Sequence, residues 1–492
     1  MDSTSSLEKL ISEWIFKYKP KLSRCLSVFF FIILGVLITS INPALAIYIT
    51  IGLIGAIIGL IRPKFGLFIY IVIVPCADFF KRLSLISLPV SQFTWNLIIF
   101  VPDIILICSV IGVLLFVLFH KPVNQYDQLD LVVSIFFAWQ LFSILNPNLP
   151  IIVSLAGFKL SALYMLLYFL ARTTIRTWKD IKNTSIFIIL SAIFPTLYGF
   201  YQFIFGMTSF EKTWLEGGYT MLHKETLLMF GVLRPFSTFS DPGSFSHFLA
   251  IIFLLLIFPF SIERRQYMKF FILFSQGVTL LILIATIVRA GWILSAISIL
   301  VFVMLSNRKH IRIVPWLVWV TLIAVPILGK SFQQLNIGSL TNFPFLQRAL
   351  VTGTFYNRVL GWQNFLSNPK YRPIFGNGLG AVGSAAFKFG ILNVDLPHNQ
   401  FLTILYEVGL IGLFLFVLVV IIFYRTSIKL LNLKYPDHVN TWIKIIIGII
   451  TGLLVMGASV SEFLFLRVTA SYFWLFMGLL PRKYHSAQSS SG

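Results

Sequence analysis

The chain is threaded with long apolar runs separated by brief polar connections, and that feature alone limits it to a membrane fold. A transmembrane helix takes about 20 apolar residues, and inside a bilayer only helices or closed barrels satisfy every backbone polar group. About fourteen runs of roughly that length can be traced, from 25–41 through 97–119, 243–260 and 268–288 to 463–480. Only 11% of residues are charged, against about 25% in a soluble domain. With 58% apolar residues and a mean hydropathy of +0.90, no water-exposed surface could be built around such a core. The expected fold is all-α: a polytopic transmembrane helix bundle. Its expected parts are a cytoplasmic segment 1–24, a membrane domain 25–480 with outer loops 206–242 and 330–398, and a cytoplasmic tail 481–492.

Charge orients this threading. The net charge is +21, from 38 Lys+Arg against 17 Asp+Glu. In a soluble protein that excess would suggest nucleic-acid binding. Here the basic residues sit in short connections, where they follow the cytoplasmic side of the membrane. Arg62 and Lys64, then Arg172, Arg176, Lys179 and Lys182, then Arg264, Arg265 and Lys269, and finally Arg425, Lys429 and Lys434 fall on alternate connections. Both ends are therefore expected in the cytoplasm, with no nucleic-acid partner. The basic lead, the apolar run to Ile41 and Ala44-Leu45-Ala46 have the form of a signal peptide. The lead is long, however, and a second apolar run follows at once, so a retained first span is expected. Cys25, Cys76 and Cys108 lie in or beside apolar runs at irregular spacing, which suits packing better than a disulfide framework or metal cluster.

Candidate chemistry collects on the other face. Arg234-Pro235-Phe236-Ser237-Thr238-Phe239-Ser240-Asp241-Pro242-Gly243 closes one outer loop. Asp241 suits a helix N-cap and Pro242 the first helical position. The helix N-terminus and Arg234 would both favour an anion. An interfacial arginine that snorkels to lipid headgroups reads the same way, and the residues leave both open. Arg289, in Val288-Arg289-Ala290-Gly291-Trp292, is either a cation at a helix end or an interfacial anchor. Phe355, Val359, Trp362 and Leu366 recur at helical spacing beside Arg358, as in a helix lying on the membrane surface. Arg372-Pro373-Ile374-Phe375-Gly376-Asn377-Gly378-Leu379-Gly380 is a glycine-rich turn. It is no nucleotide loop, because no strand precedes it and it faces away from cytoplasmic ATP. His398 precedes the next span and has the chemistry of a base near neutral pH. Glu407, in an apolar helix, needs a partner, for which Arg467 and Lys159 are candidates.

In this order, these motifs resemble the O-antigen ligase/polymerase superfamily, bacterial enzymes that transfer glycans from undecaprenyl-diphosphate carriers outside the cytoplasmic membrane. The resemblance rests on the Arg234–Gly243 segment, Val288–Trp292, Arg358-Val-Leu-Gly-Trp362, Pro373–Gly380, His398-Asn399-Gln400-Phe401-Leu402 and Glu407-Val-Gly-Leu-Ile-Gly412, and covers mainly residues 230–425. Ser240-Asp241-Pro242-Gly243 departs from the Asn-containing form of that segment. The resemblance implies a GT-C-like, metal-independent glycosyltransferase of surface polysaccharide biosynthesis that needs no cofactor. It further implies that Arg234 and Arg358 hold the lipid diphosphate, that Arg289 assists, and that His398 acts as general base. The partners implied are the lipid-linked glycan donor, a glycan, lipid or protein acceptor, and membrane lipids.

Two other classes compete. A transporter, whether a lipid-linked sugar flippase or a small-solute carrier, should carry ionisable groups at mid-membrane and often internal repeats. Here the buried candidates are few: Asp103, Lys159, Glu407 and Arg467. A structural scaffold would need no convergent arginines and histidine. The residues favour an enzyme and leave ligase and polymerase open.

Overall fold

The computed structural model describes residues 43–87, 92–119, 126–217, 227–229, 232–306, 358, 361–362, 365–367, 371–383, 385–386, 389–390, 397–433, 435–459 and 463–481. It is almost wholly helical, and the one sheet among the described residues is a two-stranded ribbon, β1 (Leu228–Met229) with β2 (Val232–Leu233). The expected run at 25–41 lies outside these residues. Among the described residues eight helices are long and apolar enough to cross a membrane, or nine if a bent pair counts as one span. The rest are shorter helices or lie outside the described residues.

The chain divides into two units. The first contains α1 (Pro43–Ile61), α2 (Pro63–Ile73), α3 (Ala77–Ser87) and α4 (Gln92–Phe119). Pro75 lacks the amide an α-helix interior needs, and a 3-10 turn at Val74–Cys76 separates α2 from α3. The two still form one span, Pro63–Ile86. The segment 81–96 is mostly helix, since α3 runs to Ser87 and α4 restarts at Gln92. Gly52, Gly55 and Gly59 of α1 lie against Val101, Ile105 and Ser109 of α4, because small residues let membrane helices approach closely. A later helix, numbered α10 below (Ser209–Glu216), joins this unit. Its Glu211 closes a capping box with Thr208 and pairs with the buried Arg82 at 3.8 Å, while Trp214 lies over the same guanidinium.

The second unit contains α5 (Gln128–Ser143), α6 (Ile151–Ser161), α7 (Leu166–Thr174), α8 (Trp178–Ser191), α9 (Ile193–Phe205), α11 (Pro242–Leu255), α12 (Ile257–Ile262), α13 (Gln266–Ala285), α14 (Arg289–Ser306), α15 (Gln400–Leu431), α16 (Asp437–Ser459) and α17 (Arg467–Gly478). Asp127 and Thr177 cap α5 and α8 in reciprocal boxes with Asp130 and Asp180. Its centre is α16, where Trp442, Ile446, Ile450 and Leu453 are fully buried. The helices α14 and α16 run antiparallel: Gly448 meets Ser298, and Gly452 meets Leu294 and Ser298. At one end Arg172 ties α7 to Asp130 at 2.9 Å, to Asp127, and to the Leu480 carbonyl after α17 at 3.0 Å.

Inside α15 the helix is broken. Gly409 has φ +73°, and the Pro373–Gly378 turn lies along the break. Asn377 and Gly378 donate to the carbonyls of Tyr406 and Glu407, while Leu410 and Ile411 donate to those of Pro373 and Ile374. The turn thus supplies the backbone partners that the interrupted helix lacks, as a membrane-embedded break requires. A Cβ on Gly376 would strike the Glu407 carbonyl, and one on Gly409 would strike the Ile374 carbonyl, so neither strand of this crossing admits a side chain.

Candidate functional site

The Arg234 motif is buried rather than spread over a surface. Phe236, Ser237, Thr238 and Phe239 are each at most 1% exposed. A turn at that depth needs internal hydrogen bonds. Gln202 of α9 supplies them, its Oε1 accepting from the amides of Phe236 at 3.1 Å and Ser237 at 2.6 Å. The Ser237 hydroxyl donates to the Pro195 carbonyl at 2.5 Å. Arg234, 8% exposed, sends its Nε to the Thr286 carbonyl at 2.9 Å. Asp241 caps α11 as expected, accepting from the Ser244 amide at 2.9 Å, with Pro242 in the first turn. That carboxylate also accepts from the Ser244 hydroxyl, so the anion at this helix end is the protein's own, not a ligand.

Thr286 caps the end of α13, and three residues later Arg289 opens α14. The sharp reversal between them is achieved by Ile287 at φ +52°. Trp292 secures it by donating from Nε1 to the Leu283 carbonyl at 3.2 Å. Gly291 lies against Ser246 of α11, where only a residue without a side chain fits. Arg234 and Arg289 are thus brought to one helix reversal.

His398 arrives at the same end by a different route. Asn399 caps α15, its Oδ1 accepting from Phe401 and Leu402, and its Nδ2 donates to the Ala458 carbonyl at 2.8 Å. Ala458 lies in the last turn of α16, which runs antiparallel to α14, so it stands level with the start of α14, where Arg289 lies. Gln400 adds a second tie by accepting from the Leu464 amide at 2.8 Å. Arg467 opens α17 three residues on, placing another cation near this end, a placement not foreseen from the sequence. His398 itself is exposed.

Arg358 is half-buried and helical. One turn on, Trp362 donates from Nε1 to the Pro397 carbonyl at 2.5 Å, which joins the Arg358 segment to the residue before His398. Phe355 and Val359 of the expected stripe lie outside the described residues. Trp362 is buried and Leu366 is 43% exposed. Phe365, outside the predicted stripe, packs with Val382 and Tyr406. Of the described stripe, Trp362 is thus taken up by protein packing while Leu366 remains at the surface.

Glu407 has the partner its burial demanded, though not a basic one in the bonds that hold it. Its Oε1 accepts from the amides of Gly380 at 2.9 Å and Val382 at 3.4 Å. Among the described residues no group of three or more His, Cys, Asp or Glu could hold a metal ion.

Three non-glycine residues among those described have positive φ: Ser237 (50°), Ile287 (52°) and His398 (50°). For a β-branched isoleucine this is a clear outlier, and such backbone is held only where surrounding structure enforces it. One falls in each of the Arg234 and His398 motifs, and one directly before the Arg289 motif. Sequence cannot show this, since none of the three is a glycine.

A multi-pass helical membrane protein with cations gathered at one end of a helix bundle is the class these observations define. Residues 274–417 match the family model described as O-Antigen ligase, which is the family that the motifs resemble. The match takes in Arg289, Arg358, His398 and the break at Gly409, and does not reach back to Arg234. No curated protein matches the chain.

Proposed function

We propose that the protein transfers or polymerises a lipid-diphosphate-linked glycan at the outer face of the bacterial cytoplasmic membrane, as a GT-C-like bundle of about fourteen spans with both ends inside. What supports this is the Arg234 bond to the Thr286 carbonyl, three residues before Arg289, the Asn399 bond from beside His398 to Ala458, and the strained backbone at Ser237, Ile287 and His398. In the reaction, His398 takes the proton of the acceptor hydroxyl, and the oxygen attacks the anomeric carbon of the donor sugar. The sugar–phosphate bond breaks and its electron pair leaves with the diphosphate. Arg234 and Arg358, with Arg289 assisting, hold that growing negative charge, and preorganised donors are most effective where charge develops. No metal is needed in this scheme, because the guanidinium groups supply the positive charge.

The test is transfer by purified protein from a lipid-diphosphate glycan. His398→Ala should abolish product while membrane insertion and thermal unfolding stay as in the parent. Undiminished transfer would remove His398 from the mechanism. The same assay with lipid, glycan and protein acceptors separates ligase from polymerase.

A further inference from the structure

A cavity lies away from the Arg234–Arg289 reversal, between the end of α5 and the Tyr371–Gly376 turn. Its volume is about 520 Å³, within the range of small-molecule sites. One wall is apolar and exposed: Phe142 (58% exposed), Leu145 (69%), Ile374 (55%) and Phe375 (57%). Trp139 backs it, stacked on Phe375 at 6.1 Å and fixed by its Nε1 bond to the Val408 carbonyl. Moving along α5 towards its end, this wall gives way to Asn146, and across the groove stands the exposed Arg372. The groove is therefore apolar towards the helix body and cationic at its rim, the polarity of an interfacial lipid site.

Its polar groups decide between occupants. The Asn146 carboxamide is already used, accepting from Asn148 and donating to the Gly376 carbonyl at 3.1 Å. Trp139 and Phe375 are stacked on each other, so one face of each ring is already taken. Most of the lining surface is hydrocarbon, which suits an acyl chain better than a glycan. What it offers is one guanidinium above a hydrocarbon-lined slot. We propose that it binds an anionic glycerophospholipid of the surrounding bilayer, with the phosphate on Arg372 and an acyl chain along Trp139, Phe142 and Phe375. Such a lipid would press on the turn that completes broken α15. The site is independent of whether the protein transfers glycans.

The test uses full-length protein in phosphatidylcholine nanodiscs containing photoactivatable phosphatidylglycerol, with cross-links mapped by mass spectrometry. Labelling should concentrate on residues 139–148 and 371–376. It should fall roughly tenfold in Arg372→Gln, as expected for losing one charge-assisted contact. Phe375→Asp, a second exposed position, should give a similar loss, whereas Arg425→Gln at the far end of α15 should not. Excess inorganic phosphate should leave labelling intact, because the chain contributes to binding. Undiminished labelling in Arg372→Gln would overturn the proposal. So would equal labelling by photoactivatable diacylglycerol, displacement by inorganic phosphate, or preferential displacement by undecaprenyl phosphate.

Discussion

Glu407 Oε1 accepts a hydrogen bond from the Gly380 amide at 2.9 Å, so the carboxyl group inside α15 holds the glycine-rich turn across the break in its own helix. The Glu407 carbonyl takes a second bond, from Gly378 at 2.9 Å. A residue that reads from sequence as a buried charge seeking a cation is instead a clamp on backbone amides. Glu407→Gln keeps an acceptor and should unfold close to the parent in a thermal scan. Glu407→Ala leaves buried amides unpaired and should cost about 1–3 kcal/mol. Equal stability of the two variants would show that the clamp is not formed.

Glycines at 409 and 277 should respond in opposite directions to the same change. Gly409 sits at positive φ with its missing Cβ aimed at the Ile374 carbonyl, so Gly409→Ala should separate turn from helix and lower the unfolding temperature markedly. Gly277 is helical and exposed, and a methyl group added there would have nothing within 4 Å. Gly277→Ala should therefore be neutral or stabilising by up to about 1 kcal/mol. Measuring both in one detergent controls for general sensitivity of the bundle.

Arg172 carries a buried network, bonded to Asp130, Asp127 and the Leu480 carbonyl. Removing one partner of such a pair strands the other charge, and Arg172→Met should cost about 3–5 kcal/mol. Adding Asp130→Asn should restore part of the loss, because the stranded charge disappears. Additive losses in the double variant would argue against the network.

Gln202 is the positioning residue for the Arg234 motif. Gln202→Leu keeps its bulk but leaves the Phe236 and Ser237 amides without their acceptor. Transfer should fall at least tenfold, roughly one displaced buried turn's worth, and Gln202→Glu, which retains an acceptor, should recover much of it. A stable Gln202→Leu protein with full transfer would separate that turn from the reaction.

Trp362→Phe removes one donor while keeping a ring in the packed site. If the bond to the Pro397 carbonyl positions His398, the variant should lose turnover with little change in unfolding temperature. Comparing kcat with KM distinguishes the roles: a positioning effect lowers kcat, whereas a purely structural one appears first in the unfolding scan.

The apolar runs in the sequence were enough to determine a helical membrane bundle, because a bilayer leaves its backbone few alternatives. Local chemistry was equally legible where partners are neighbours in sequence: Asp241 and Pro242 begin α11, as their side chains dictate. The motif order was also enough to point to the family matched at 274–417. Contacts between distant residues were not legible. Gln202 serves residues more than 30 positions away, and Asn399 reaches Ala458. Glu407 chose amides over the basic residues its charge suggested, because a helix interrupted at Gly409 brings unpaired backbone beside it. Only tertiary packing could force Ser237, Ile287 and His398 into left-handed backbone, since each residue alone prefers the opposite sign of φ.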